Sequence, residues 1–191
     1  MGSWAAFYVE DISEERVAEA CATWLRDQRG LWARLTGRAI GQRAGELSEA
    51  ENWTLWNPGG RPRRVAVVRH SPRWVMVFYG SFYEPNELAV HVSTELGARV
   101  VDTQGQNTSD AYLIAIHDAG QRTRTLEFCE EWITNEGTPL PDEPVPLETT
   151  FSDEPDEPGW FHEEAVQRYM DQVFGIRWWS FPEASEAVLV G

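Results

Sequence analysis

From Arg73 to Cys129 the spacing of apolar residues changes period, and that change marks the unit around which the chain is organised. In RWVMVFYGSFY, Trp74, Met76, Phe78 and Phe82 fall on one side of an extended strand while Val75, Val77, Tyr79 and Tyr83 fall on the other. Both sides are apolar, so the pattern predicts an interior strand over 73–83. Glu84-Pro85 then opens a helix, because proline's fixed φ suits the first helical position. Leu88, Val92 and Leu96 recur every fourth residue until Gly97 stops the run, which predicts a helix over 85–96. Strands follow at 98–103 (ARVVDT), 110–117 (DAYLIAIH) and 121–129 (QRTRTLEFC). The last two are joined by Asp118-Ala119-Gly120, which suits a tight antiparallel turn. The unit over 73–129 therefore reads strand, helix, strand, strand, strand.

On the N-terminal side, WAAFYV (4–9) is a strand candidate, and Asp11 with Glu14 resembles a capping box. Val17, Cys21, Trp24 and Leu25 line one face of the helix that follows. Residues 30–45 mix apolar side chains with Arg34, Arg38 and Arg43 and read as a broken helix or irregular segment. Trp53–Trp56 is a short strand candidate before the turn Asn57-Pro58-Gly59-Gly60. PRRVAVVRH (62–70) is the next strand, turned by Ser71-Pro72 directly into 73–83. Short turns between consecutive strands require antiparallel pairing. The expected architecture is α+β: a mainly antiparallel sheet with helices packed on one face of it.

After Trp132 the pattern changes again. Residues 138–159 hold six of the chain's eleven prolines among Asp and Glu, which excludes a central strand and predicts an extended linker or wrapping arm. Val166, Tyr169, Met170, Val173 and Phe174 then form the apolar stripe of a helix from Trp160 to Phe174, closed by Gly175. IRWWSF (176–181) and AVLV (187–190) are terminal strand candidates. The organisation that results is an α+β core over 1–136, an acidic proline-rich arm over 137–159, and a helix with strands over 160–191 docking on the core, together one structural domain.

Composition narrows the chemistry. The sixteen basic residues are all Arg, which removes the phosphate-loop lysine, the Schiff base and the Ser–Lys dyad. No apolar run approaches the ~20 residues that span a bilayer, and the N-terminus lacks a signal-peptide pattern, so the expected location is cytoplasmic, with no membrane partner. Cys21 and Cys129 are too few for a disulfide framework and are expected to be reduced and buried. The net charge of −15 is unevenly distributed. Residues 1–128 carry 14 Arg against 16 acids, whereas residues 129–191 carry 2 Arg against 15 acids. A segment so acidic repels phosphates, which argues against nucleic acid.

Catalytic and metal motifs are lacking. His70, His91, His117 and His162 show no His-x-x-x-His spacing, so no metal pair is preset on a helix face. His162-Glu163-Glu164 has ligand-type atoms, yet acids at a helix start are what the helix dipole favours. Ser81 lacks the second glycine of a nucleophile elbow. Cys129 precedes Glu130-Glu131, whose charge opposes a thiolate. No metal, cofactor or catalytic residue is assigned. An enzymatic reading, a small hydrolase or transferase, requires His70, His91 or His117 to meet Asp102, Asp110 or Asp118 in the fold.

Between Glu130 and Glu164 twelve acids and no Arg alternate with apolar anchors, among them Phe151 and Trp160. Acids among aromatics suit docking to a basic protein cleft, by electrostatic steering and desolvated anchors. The alternative is a solvated connector pinned to the core by its aromatics. The candidate partner-binding residues are Phe151, Asp153, Glu154, Asp156, Glu157 and Trp160. In size, acidity, low cysteine content and α+β pattern the chain resembles small bacterial immunity proteins. That resemblance implies a non-enzymatic binding domain or inhibitor, with a basic protein such as a toxin as partner.

Overall fold

Alternation along β1 (Ser3–Glu10) sends Ala5, Phe7 and Val9 to one side and Ala6 and Tyr8 to the other, and all five are buried. Such a strand needs a layer above it and another below. The computed structural model describes residues 3–28, 40–46, 60–80, 86–106, 109, 111–129, 131–143, 163–177 and 186–191. After β1 come α1 (Glu14–Gln28), β2 (Gln42–Glu46), β3 (Val65–Arg69), β4 (Trp74–Phe78) and α2 (Glu87–Leu96). Then follow β5 (Arg99–Gln106), β6 (Ala111–Asp118), β7 (Gln121–Cys129), β8 (Glu131–Gly137), α3 (Glu163–Phe174) and β9 (Glu186–Val190). The strands form one sheet in the order β2-β9-β3-β4-β1-β5-β6-β7-β8, with every neighbouring pair antiparallel. This is the α+β fold expected from the pattern of elements.

β4 lies inside the sheet between β3 and β1, as its two apolar faces predict. The turn after β6 places Ala119 at φ 48° and Gly120 at φ 84°, the paired positive angles of a two-residue hairpin. α2 is capped at both ends. Asn86 accepts the Ala89 N–H at 3.2 Å, and Gly97 sits left-handed at φ 60°. The Gly97 N–H reaches Thr94 O and the Ala98 N–H reaches Ser93 O, the Schellman arrangement. The helix thus starts at Asn86-Glu87; the expected opening at Glu84-Pro85 lies outside the described residues.

The helices occupy both faces and not one. α1 and α2 cover the face built by Phe7, Val9, Val67, Val75, Val77 and Val100, with Val17, Cys21, Leu25, Leu88 and Val92 between the layers. α3 covers the opposite face, where Val166, Tyr169, Met170 and Phe174 meet Tyr8, Trp74, Met76, Ile114, Ile116 and Leu126. The reason is visible in β1 and β4, whose even-numbered residues are as apolar as the odd-numbered ones, so one helical layer leaves half the apolar surface wet. The Trp74 indole N–H donates to Phe174 O at 3.0 Å, fixing the end of α3 against the middle of the sheet. Gly105 lies under Trp4, where a Cβ would come within 1.9 Å of the indole ring.

Other expectations need correction. Residues 42–46, expected to be irregular, are strand β2, an edge whose polar residues are mostly exposed and so give no apolar signal. β5 continues past Thr103 to Gln106, because backbone pairing with both β1 and β6 carries a polar stretch along. Residues 176–177 are not strand: the Ile176 N–H closes the α3 terminus on Met170 O and its side chain enters the core. Asp11 is not a helix cap. It stands at φ 53°, and its N–H donates to Arg73 O at 2.8 Å. Both cysteines are free, Cys21 buried and Cys129 only half-buried. Trp53–Trp56 and 178–181 lie outside the described residues.

Candidate functional site

Among the described residues of the organising unit, Asp102 is the one carboxylate that is fully buried. Strand parity puts it beneath α2, on the face it shares with Val100 and Phe7. The Tyr79 hydroxyl donates to it at 2.7 Å, the Asn86 amide at 3.0 Å and the Gln104 amide at 3.3 Å. A carboxylate offers about four acceptor positions, so these donors use most of its capacity. Asn86 acts at both ends: its amide nitrogen holds Asp102 while its oxygen caps α2. The carboxylate is therefore occupied in orienting the helix on the sheet.

Among the described residues, the histidines do not join it. His117 pairs with Val100 and Ala115 with Asp102, so His117 and Asp102 are diagonal neighbours, about 7–8 Å apart in such a ladder. Both His117 ring nitrogens are buried and have no hydrogen-bond partner among the described residues. Burial, with Arg122 adding to it and Asp118 opposing, pushes the imidazole down to about 4, so the ring is neutral at pH 7. Asp118 is engaged by Arg99, whose Nε lies 2.7 Å away, and by the Thr123 hydroxyl. His70 stacks edge-on against Tyr8 with ring centroids 5.3 Å apart, and burial lowers its pKa as well. His91 lies 3.9 Å from Glu95, one turn along α2. Asp110, Ser81 and His162 lie outside the described residues. Among the described residues no group of three or more His, Cys, Asp or Glu is placed to hold a metal. Burial raises the Cys21 thiol pKa, which suppresses thiolate chemistry there.

A second buried carboxylate lies on the α3 face. Glu143 receives two N–H donors from Arg124, one of them at 3.1 Å, together with the Tyr169 hydroxyl at 2.9 Å and the Leu140 N–H at 3.2 Å. Arg124 also donates to Glu136 O at 2.8 Å. Burial, reinforced by the Glu143 charge, raises the Tyr169 phenol far above its ordinary range, so it remains a donor. The cluster binds β7, the 138–143 segment and α3 to one another. Sequence reasoning missed it, although one signal was present: Arg124 shares strand parity with Leu126 and Phe128, which puts a charge on a buried face.

The acidic part of the chain reaches the surface elsewhere. Among the described residues Glu136, Asp142, Glu164, Asp171 and Glu186 are exposed, with Arg168 and Arg177 the exposed arginines beside them. Arg177 faces Asp171 at 3.5 Å. Ile133 on β8 is 57 % exposed and is the one large hydrophobic residue left in water among those described. It is the extra residue of a bulge, since Glu127 pairs with Thr134 and Phe128 with Trp132. The candidate residues Phe151, Asp153, Glu154, Asp156, Glu157 and Trp160 all lie outside the described residues. Among the described residues no helix is long and apolar enough to cross a membrane. Comparison of the chain with protein-family models, curated proteins and solved structures returned no match.

Proposed function

We propose that the chain is a non-enzymatic protein-binding domain, of the immunity-protein or inhibitor kind, whose acidic C-terminal third covers a basic partner such as a toxin. The observation that carries this reading is the charge partition: 15 acids against 2 Arg in residues 129–191, beside 16 against 14 in residues 1–128. Folding alone does not call for such a division. Among the described residues of the C-terminal third Glu143 is the one buried carboxylate, and Glu136, Asp142, Glu164, Asp171 and Glu186 face solvent. A surface of one sign steers a partner of the other and repels nucleic acid. The hydrolase or transferase reading has less support, because Asp102 is held by Tyr79, Asn86 and Gln104 while the nitrogens of His117 meet no partner among the described residues.

The test is capture of a basic protein at low salt by the full chain and by a variant carrying Asp153→Lys, Glu154→Lys, Asp156→Lys and Glu157→Lys. The expected partner associates fast with the native chain, more slowly as salt is raised past the point where the Debye length is about 8–10 Å, and poorly with the variant. Phe151→Ala and Trp160→Ala are expected to speed dissociation. Recovery of the same proteins by both chains, or of none by either, overturns the reading.

A further inference from the structure

We infer that the outer edge of β8 is a docking edge for an extended basic segment of the partner, which adds to the sheet as a tenth strand. This rests on the protein-binding reading above and names the surface and the form of the ligand. β8 ends the sheet, so one row of its backbone N–H and C=O groups has no strand neighbour among the described residues. Ile133 and Glu136 are exposed along it, so among the described residues nothing encloses this edge as a core would. Exposed edges of this kind are templates for another strand.

Charge decides which strand. The sequence of β8, EWITNEG, holds two acids and no base, and Glu127 stands on the neighbouring β7. The arginine that pairs with β8 across the ladder, Arg124, is taken up internally by Glu143. Pairing with a second copy of β8 brings acids against acids, which is unfavourable at directly opposed positions. A basic strand meets the opposite situation. The bulge contributes specificity, because it lifts Ile133 out of the regular alternation and leaves an apolar side chain in the middle of an acidic edge. The matching segment alternates basic and apolar residues, its backbone pairing with β8 and one apolar residue covering Ile133. β2, at the other end of the sheet, lacks this combination: its sequence QRAGE balances one arginine against one acid and offers no large apolar residue.

The probe is a capped peptide of about eight residues alternating Arg and Val, the usual length of a strand, titrated into the full chain beside the same peptide N-methylated at every second backbone amide. N-methylation keeps the charge and removes the ladder donors. The native peptide is expected to bind about tenfold or more tightly than the methylated one, and to slow amide hydrogen exchange in β8. Ile133→Ser is expected to weaken the native peptide by about tenfold without moving the melting temperature, since the side chain is already largely in water. Ile133→Ala gives a second variant that likewise leaves the charge of the edge unchanged. Equal binding of the two peptides, or binding without protection of β8, overturns strand addition while leaving an acidic binding surface. Failure of both peptides, with a basic protein still captured in a manner sensitive to Asp153–Glu157 charge reversal, does the same. Failure of that capture too removes the underlying reading.

Discussion

Asp102 and Glu143 are buried carboxylates on opposite faces of the same sheet, and their partners differ in kind. Asp102 is held by neutral donors from Tyr79, Asn86 and Gln104, all within the unit that runs from Arg73 to Cys129. Glu143 is held by the Arg124 guanidinium, the Tyr169 hydroxyl and a backbone N–H, and these come from β7, α3 and the segment between. The first carboxylate finishes a local helix cap. The second joins pieces distant in sequence. A carboxylate that must hold separate elements together profits from a full counter-charge, because desolvation strengthens the attraction and makes loss of either partner severe. The difference teaches that the C-terminal helix is attached by charge as well as by its apolar stripe.

The largest expected effect breaks that attachment. Glu143→Ala leaves Arg124 buried and uncompensated, and Arg124→Ala does the reverse, so each is expected to cost about 3–5 kcal/mol in chemical denaturation. The double replacement Arg124→Met with Glu143→Leu is expected to recover most of the loss, because no charge then remains in the core. Amide exchange should rise first in α3. A single variant that loses less than about 1 kcal/mol would remove the clasp from the account.

Next in size is a pH effect from the α2 face. His117 titrates at about 4 in the folded chain because burial disfavours its charged form, against about 6.5 when unfolded. The unfolded state therefore binds the proton more readily between these values. Stability is full above pH 6.5 and falls as pH drops towards 4, by up to about 3 kcal/mol. His70, lowered for the same reason, adds in the same direction. Denaturation of the native chain and of His117→Asn at pH 7, 5 and 4 checks this. Equal slopes in the two proteins would show that the ring is not the group responsible.

The two clusters were unequally legible. β1, β3, β4, β6, β7 and the C-terminal end of α2 were readable because their apolar periods and turn residues agree with the tertiary contacts. Asp102 was visible only as an acid inside ARVVDT, sharing parity with Val100, and nothing local names Tyr79 and Asn86 as its donors. Glu143 is one of twelve acids between Glu130 and Glu164, so its burial follows from long-range packing that no local pattern encodes. β8 was hidden for a related reason: its pairing comes from the backbone of β7, while Ile133, Asn135 and Glu136 are exposed and give no buried apolar stripe. The placement of α3 on the opposite face follows from the double-sided apolarity of β1 and β4, a property of the strands and not of the helix.

Asp102→Asn sharpens the comparison at smaller cost. The shape is kept, but one acceptor oxygen becomes an NH₂ group facing existing donors. One donor among Tyr79, Asn86 and Gln104 then loses its partner, an expected loss of about 1–3 kcal/mol. The loosening should appear at the N-terminus of α2, through the Asn86 cap, and leave exchange in α3 unchanged. Loss of protection in α3 would contradict the separation of the two faces.

The smallest effect tests whether it is burial or ion pairing as such that makes Arg124 and Glu143 matter. Arg61 offers the control: its guanidinium donates to Glu87 in the first turn of α2 at 2.9 Å and to Gln28 at the end of α1 at 2.7 Å, so it too links separate elements. Its side chain, however, is 56 % exposed. Water screens the attraction, and ordering a long side chain offsets much of what remains, so Arg61→Ala is expected to cost under about 1 kcal/mol and to cost less still at high salt. Urea denaturation at low and high ionic strength measures both quantities. A loss near that of Glu143→Ala would mean that bridging distant elements, whatever the exposure, sets the energy, and the contrast between the two carboxylates would then have to be rebuilt on connectivity alone.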